Sequence, residues 1–189
     1  MYNENFYHCP YPGEMLPKER KLLYGAVSST MPKVTFEIGC GLGASTYYIC
    51  EAAKEYGNVY TCDPSRQPTD EFLKSYPYCE YFRLTSDLFI DKMIERGCVA
   101  DFVFFDGPED PDVALNDLLR LEPYMSPNCV FGMHDWTTTV RKYDGAVSTK
   151  AVKIKEYISK SDKWKLLIEL DGSKSAESVG IAFYEKLGV

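Results

Sequence analysis

The sequence has 189 residues, of which 45% are hydrophobic and 26% are charged, a composition typical of one folded globular domain. A formal net charge of −7 argues against a surface that binds nucleic acid or an anionic membrane. No apolar run is long enough to span a bilayer, and the first residues do not resemble a signal peptide. The seven cysteines include no Cys-x-x-Cys pair, which predicts reduced thiols in a cytoplasmic protein.

The first 32 residues form an N-terminal segment rich in Tyr and Pro, in which a helix is predicted from Pro17 to Ser29. The part before this helix contains His8. It is interpreted either as a lid over a substrate site or as a terminus packed on the surface. Residues 33–189 form the core of the same single domain.

Strand-like and helix-like runs alternate through this core. The predicted strands are Val34–Ile38, Val59–Cys62, Glu80–Leu84, Phe102–Phe105 and Cys129–Met133, followed by Trp164–Leu170 and Val179–Tyr184. The predicted helices begin near Ala44, Thr69, Asp87, Asp110 and Gly145. The alternation predicts an α/β fold with a mostly parallel sheet and helices on both faces. The last two strands lack a helix between them, so we expect them to pair antiparallel or to flank another strand.

A glycine-rich turn, Gly39–Gly43, lies between the first strand and its helix. Glycines at this position let backbone N–H groups approach a ligand closely, and the start of the helix favours negative groups. The pattern also satisfies the fingerprint of dinucleotide-binding proteins. Asp63, at the end of the second strand, can accept hydrogen bonds from a ribose, which NAD and S-adenosylmethionine (SAM) both carry.

Glu37 distinguishes between these two ligands. It lies near the end of a strand that should be buried, and its carboxylate would repel an incoming pyrophosphate. The ammonium and sulfonium groups of SAM would instead be attracted, directly or through water. A tight turn without a ligand is the remaining interpretation.

Glu37-x-Gly39-x-Gly41-x-Gly43, Asp63 after the second strand and the terminal strand pair resemble the class I SAM-dependent methyltransferases over residues 34–184. The resemblance implies a Rossmann-like seven-stranded sheet in the order 3-2-1-4-5-7-6, with the last strand of the chain antiparallel. It also implies which residues bind the cofactor: Glu37, Gly39, Cys40, Gly41, Gly43, Ser45, Asp63, Ser86, Asp87 and Asp106. For Ser86 and Asp87, a simple helix cap is an equal alternative.

Two acids, Asp106 and Asp135, each follow an apolar strand. Ligands of open α/β sheets bind beyond the carboxyl ends of the strands, and adjacent strands would bring these carboxylates together. Two acids that close either bind a divalent cation or share a proton. His134 adds a ligand or a base to this pair.

The segments around Asp106, Asn116 and His134-Asp135-Trp136 resemble methyltransferase family 24 and the related catechol O-methyltransferase group. The resemblance implies a Mg²⁺ ion held by Asp106, His134 and Asp135. This sequence departs from the pattern, because Glu109 stands where these groups have a histidine or lysine, and Trp136 stands where an asparagine is usual. If no metal binds, Asp106 would contact SAM or a helix terminus and His134-Asp135 would form a local pair.

We therefore expect a SAM-dependent methyltransferase that acts on an oxygen of a small-molecule acceptor, with or without Mg²⁺. His134 is the expected base, with Asp135 and Asp106 as metal ligands or orienting groups. The alternatives are an NAD-dependent oxidoreductase and a SAM-binding module without activity. A homodimer is left open. Trp136 is interpreted as a substrate contact or as core packing, and Lys150, with the lysines after it, as a solvated helix face.

Overall fold

The structure is a computed structural model that describes residues 9, 11, 13, 15–137, 147–172 and 179–188. Six α-helices lie within these residues: α1 (Pro17–Thr30), α2 (Ala44–Ala53), α3 (Asp70–Ser75), α4 (Ser86–Glu95), α5 (Pro111–Leu121) and α6 (Ala151–Ser159). The strands are β1 (Val34–Ile38), β2 (Asn58–Cys62), β3 (Cys79–Phe82), β4 (Ala100–Phe105), β5 (Met125–His134), β6 (Trp164–Leu170) and β7 (Ile181–Lys186).

The strands form one seven-stranded sheet in the order β3-β2-β1-β4-β5-β7-β6. Strands β1 to β5 pair in parallel, whereas β7 is antiparallel to both β5 and β6. The predicted Rossmann-like sheet, its strand order and the antiparallel last strand are confirmed. The carboxyl ends of β1, β2, β4 and β5 therefore lie along one edge of the sheet, which is where this topology places ligands.

The central strand β4 is buried on both faces, as its apolar sequence predicts. Phe102 and Phe104 of β4 pack with α1 and α2 residues such as Leu23 and Ile49. Val103 and Phe105, which alternate with them, pack against the other face with side chains of α4, α5 and α6. Because successive side chains of a strand point to opposite faces, a run of apolar residues fills two cores at once.

Two of the helices begin at capping residues that the sequence contains. The Asp110 carboxylate accepts hydrogen bonds from the backbone N–H groups of Asp112 and Val113, and Pro111 occupies the first helical position. Thr69 caps α3 in the same way by accepting a hydrogen bond from the backbone N–H of Phe72. These side chains satisfy N–H groups that the helices themselves leave without partners.

The last helix begins later than the sequence pattern predicts. We expected it from Gly145, which lies outside the described residues, but α6 begins at Ala151. The hydroxyl groups of Ser148 and Thr149 donate to the Glu109 side chain and backbone carbonyl, respectively. Hydroxyl groups that hydrogen-bond elsewhere compete with helix formation, so the chain before Ala151 is drawn toward the β4–α5 loop instead.

Most of the proposed N-terminal lid, including His8, lies outside the described residues. All seven cysteines are free thiols, in agreement with the sequence analysis. Within the described part of the chain, no helix combines the length and apolarity needed to cross a membrane. Trp136 packs in the core: it is buried, its Nε1 donates to Glu169 at 2.7 Å, and its ring contacts Tyr184.

Candidate functional site

The glycine-rich turn between β1 and α2 has an unusual backbone. Gly39, Gly41 and Gly43 have φ angles of 89°, 54° and 98°, in the left-handed region that glycine adopts without strain. A Cβ atom on Gly39 would lie 2.2 Å from the carbonyl oxygen of Asp106. The N–H groups of Gly39 and Cys40 both donate to the carbonyl oxygen of Cys62, at 2.9 and 3.1 Å. The turn is thus held close to the ends of both β2 and β4.

A cavity of about 700 Å³ opens at the carboxyl edge of the sheet above this turn. That volume lies within the usual range for a small-molecule site. A second cavity of about 310 Å³ shares Gly39, Asp63 and Asp106 with the first and extends to Ser86. The larger cavity brings together most of the residues proposed for the site: Gly39, Cys40, Gly41, Ser45, Asp63, Asp106, His134 and Asp135.

Three proposed cofactor residues lie away from the cavity walls. Gly43 is the N-terminal cap of α2 and faces Pro68. Asp87 is exposed on α4 and lines neither of these cavities. Glu37 lies fully buried behind the turn, so its side chain does not extend into bulk water.

The Glu37 carboxylate is only partly satisfied. Its Oε2 accepts hydrogen bonds from Thr46 at 2.7 Å and from Thr61 at 2.6 Å, whereas Oε1 has no hydrogen-bond partner among the described residues. Burial raises the pKa of Glu37 to about 7, although the hydroxyl groups of Ser45, Thr61 and Thr46 act in the opposite direction. A cation near the turn would therefore stabilise this carboxylate, as the sequence analysis proposed.

Asp63 connects the turn to the loop after β2. Its Oδ2 accepts a hydrogen bond from the Gly41 N–H at 3.1 Å. Its Oδ1 accepts bonds from the backbone N–H groups of Ser65 and Arg66 at 2.9 and 2.8 Å. The carboxylate lies on the wall of both cavities, where the hydroxyl groups of a ribose would reach it.

The three predicted metal-site residues converge at the wall of the larger cavity. Ligand atoms of Asp106, His134 and Asp135 lie within 4.8 Å of one another. Nδ1 of His134 is 3.3 Å from Asp106 Oδ2 and 3.5 Å from Asp135 Oδ1. Asp135 has a left-handed backbone with a φ of 54°, a conformation in which aspartate is enriched.

Two charged residues that the sequence analysis missed complete this cluster. Lys150, immediately before α6, donates from Nζ to Asp106 Oδ1 at 2.5 Å and pairs with Asp135 Oδ2 at 2.9 Å. Its side chain is only 1% exposed, so the prediction of a solvated lysine is wrong. Glu19 of α1 is also buried, and its Oε2 lies 3.2 Å from Nε2 of His134.

Charge pairing determines the ionisation of the cluster. Burial disfavours a charge on His134, but the carboxylates of Asp106, Glu19 and Asp135 outweigh it and raise the pKa of the imidazole. Burial also opposes ionisation of Asp106, yet Lys150 and His134 hold the pKa of this carboxyl well below its usual range. Because both ring nitrogens of His134 face carboxylates, the imidazole is suited to donating hydrogen bonds, and this geometry argues against its expected role as a base.

A divalent ion does not fit beside Lys150. Mg²⁺ binds oxygen ligands at about 2.1 Å. An ion on Asp106 Oδ1 would therefore lie within about 5 Å of the Lys150 ammonium, which is 2.5 Å from the same oxygen. Repulsion between these charges in a buried site amounts to several kcal/mol. The ligand set predicted for Mg²⁺ is present, but the Lys150 ammonium already contacts both of its carboxylates.

The family comparison agrees with this architecture. Residues 36–136 match the family model described as "Methyltransferase domain", the model of methyltransferase family 24. The chain belongs to this methyltransferase family, and its sheet is that of the class I enzymes. No curated protein sequence matches the chain significantly.

Solved structures with the same fold include several methyltransferases. An O-methyltransferase from Bacillus cereus, in complex with S-adenosylhomocysteine (SAH), is 16% identical, with a TM-score of 0.70 over 93% of this chain and 84% of the other. The O-methyltransferase TomG from Streptomyces achromogenes, in complex with SAM, is 17% identical, with a TM-score of 0.73 over 92% and 82%. A Klebsiella pneumoniae protein provisionally described as an O-methyltransferase is 16% identical, with a TM-score of 0.75 over 98% and 87%.

Proposed function

We propose that this methyltransferase uses SAM to methylate an oxygen atom of a small-molecule acceptor. The observation that carries the proposal is the buried Glu37 carboxylate, half unsatisfied, behind a glycine turn that lines a ligand-sized cavity. An anionic group at this place suits a cationic amino-acid cofactor and disfavours the pyrophosphate of NAD. The match to methyltransferase family 24 supports the same choice over an oxidoreductase.

The cofactor would lie along the glycine turn. Gly39, Cys40, Gly41 and Ser45 line the cavity there and would surround its methionyl part, with Glu37 acting electrostatically from behind. Asp63 would bind the ribose, and Ser86, in the smaller adjoining cavity, would lie near the adenine. Asp87, exposed outside both cavities, has no role in this proposal.

When bound, SAM supplies a methyl group on a positively charged sulfur, which an acceptor oxygen can attack. The residues of this chain align the acceptor and accept the proton of its hydroxyl group. His134 and Asp135 border the cavity beside Asp106, and the two ring nitrogens of His134 face Glu19 and the two aspartates, so the imidazole orients the carboxylates at the cavity wall. This arrangement gives His134 an orienting role.

Glu109 is the best-placed group to accept the proton of the acceptor hydroxyl. It lines the same cavity, three residues after Asp106, and its side chain is 57% exposed. Its Oε2 accepts a hydrogen bond from Ser148 at 2.9 Å, which holds the carboxylate at the cavity wall. Its Oε1 lies 3.8 Å from the Lys150 ammonium, whereas Asp106 and Asp135 contact this lysine at 2.5 and 2.9 Å and also face His134.

SAH release from SAM tests the proposal directly. A panel of sugar and phenolic hydroxyl compounds is incubated with the protein and SAM, and SAH is measured by mass spectrometry. We expect SAH release that depends on one acceptor class and is lost in Asp135→Asn, while this variant still binds SAM. SAM binding without release over the whole panel would support the non-catalytic module, and absence of SAM binding would defeat the proposal.

A further inference from the structure

Lys150 contacts both of the acids that the resemblance to metal-dependent methyltransferases implies as ligands of a divalent cation. It reaches the cluster from the start of α6, 44 residues beyond Asp106 in the chain. Its ammonium bridges the carboxylates that follow β4 and β5, at 2.5 Å from Asp106 and 2.9 Å from Asp135. A buried lysine that contacts two carboxylates supplies the positive charge that holds them side by side.

The remaining oxygens of the same carboxylates face a second basic group. Asp106 Oδ2 and Asp135 Oδ1 lie 3.3 and 3.5 Å from Nδ1 of His134. All four carboxylate oxygens therefore face the nitrogen of a basic side chain. A divalent ion could bind this pair only by displacing one of these contacts or by approaching the lysine closely.

Further acids surround the two basic groups. Glu19 contacts Nε2 of His134, and Glu109 Oε1 is 3.8 Å from the Lys150 ammonium. The cluster thus combines two basic side chains with four carboxylates. Because a cation bound to these carboxylates would lie close to the buried Lys150 ammonium and be repelled by it, the lysine and a divalent ion compete for the same two acids.

We propose that the Lys150 ammonium replaces the divalent cation in the Asp106–His134–Asp135 cluster, so that this protein holds its two acids together without a metal. Lys150 does not line the cavity, so it acts through Asp106 and Asp135 as a positioning residue. The proposal depends on the contacts of these residues and not on SAM or on turnover. Its failure would therefore leave the proposed methyl transfer intact.

Electron paramagnetic resonance with Mn²⁺ tests this exclusion. The wild-type protein and the Asp135→Asn variant are each titrated with Mn²⁺. We expect the two proteins to bind the same amount of Mn²⁺. If the wild-type protein binds a Mn²⁺ ion that the Asp135→Asn variant does not bind, the proposal is overturned. Any ion that remains bound in Asp135→Asn lies elsewhere on this acidic surface, and such a result agrees with an empty cluster.

Removal of the lysine charge should open the cluster to the metal. In Lys150→Met, whose side chain is similar in length but neutral, we expect Mn²⁺ binding at least about 100-fold tighter than in the wild type. This binding should disappear in the double variant with Asp135→Asn, and Mn²⁺ should raise the Tm of Lys150→Met alone. A folded Lys150→Met protein that gains no such site would overturn the proposal, since another group would then exclude the ion.

Lys153→Met is the matched control, because Lys153 lies one turn further along α6 and pairs with the exposed Asp112. It should behave as the wild type in the Mn²⁺ titration. If Lys150→Met does not fold, Lys150→Gln replaces it, with the same expected gain. The wild-type titration decides between the two outcomes even if neither variant folds.

Discussion

The Asp63 carboxylate accepts a hydrogen bond from the Gly41 backbone N–H, at 3.1 Å. These residues lie in the loops after β2 and β1, so the bond connects the two loops that form one wall of the larger cavity. The same carboxylate lines the larger cavity, and in the proposed function it binds the ribose hydroxyl groups. Asp63 therefore has two roles in the account, one in fixing the turn and one in contacting the cofactor.

Replacement of Asp63 should weaken cofactor binding. In Asp63→Ala, loss of hydrogen bonds to a charged acceptor, each worth about 1.5–3 kcal/mol, should lower SAH affinity by about 10- to 100-fold. Thermal-shift titration with SAH measures the change. Asp87→Ala, at an exposed position outside both cavities, is the control and should bind SAH as the wild type does. Equal loss in both variants would contradict the role of Asp63.

The buried Glu37 should make stability depend on pH. Its pKa is about 7 in the folded protein, against 4.5 for the free side chain. The folded protein therefore retains a proton that the unfolded chain releases. Stability should fall as the pH rises from 4.5 to 7 and then level off, with a total cost of about 3 kcal/mol.

Glu37→Gln isolates this contribution from other ionisable groups. Urea unfolding of both proteins at pH 5 and pH 8 gives the stability difference between variant and wild type. We expect the difference to shift in favour of Glu37→Gln by up to about 3 kcal/mol at the higher pH. If the stability difference between Glu37→Gln and the wild type were the same at pH 5 and pH 8, burial would not raise the pKa of Glu37 in the folded protein.

Gly39 should tolerate no side chain. In Gly39→Ala, the new Cβ would lie 2.2 Å from the Asp106 carbonyl oxygen, and the φ of 89° adds backbone strain. Gly97 is the matched control, because its φ is +66° and nothing lies within 4 Å of a Cβ there. Gly97→Ala should cost about 1 kcal/mol of stability, from the backbone alone. Gly39→Ala should cost at least about 2 kcal/mol more, because the contact forces the strands apart.

Urea unfolding of Gly39→Ala and Gly97→Ala measures the two losses of stability. Equal losses of stability would mean that the turn can move away from β4. In that case, the close contact between the glycine turn and Asp106 would not be a fixed feature of the site.

Glu109 should affect turnover more than binding. Loss of a positioned base lowers rates by about 10²- to 10⁴-fold, so Glu109→Gln should lower kcat in that range with SAM affinity unchanged. Steady-state SAH release with the preferred acceptor measures the effect. Glu156→Gln, which changes an exposed ion pair with Lys160, should leave kcat unaltered. Normal turnover in Glu109→Gln would assign the proton to another group.

The sequence was sufficient to predict the sheet and the edge of the sheet at which the proposed site residues meet. Apolar strands that each end in Glu37, Asp63, Asp106 or Asp135 must bring these acids to one edge, because parallel strands share their carboxyl ends. Helix starts were predicted well where a capping residue such as Asp110 is present.

The partners of the acids were harder to predict, because Lys150 and Glu19 reach them from distant parts of the chain. A signal for both residues was nevertheless present. Glu19 shares a helix stripe with the buried Leu23 and Val27. Lys150 precedes the buried Ile154 by four residues, on the stripe that faces the core. A charged residue on an otherwise apolar helix stripe indicates a buried ion pair. The number of lysines in and before α6, taken without their positions, suggests only a solvated face.

The start of α6 and the charge state of His134 depend on contacts that no local pattern contains. Ser148 and Thr149 hydrogen-bond with Glu109 in a loop about 40 residues earlier. Likewise, His134 lies between carboxylates from α1, β4 and its own strand end. Only the folded chain shows that its ring nitrogens are already engaged.

Calorimetric titration with SAM at pH 8 tests the central claim, a cationic cofactor beside Glu37 and the glycine turn. We expect one SAM per chain in the wild type, clearly weaker SAM binding in Glu37→Gln, and no binding of NADH to either protein. Unchanged SAM affinity in Glu37→Gln, or binding of NADH in place of SAM, would contradict this claim.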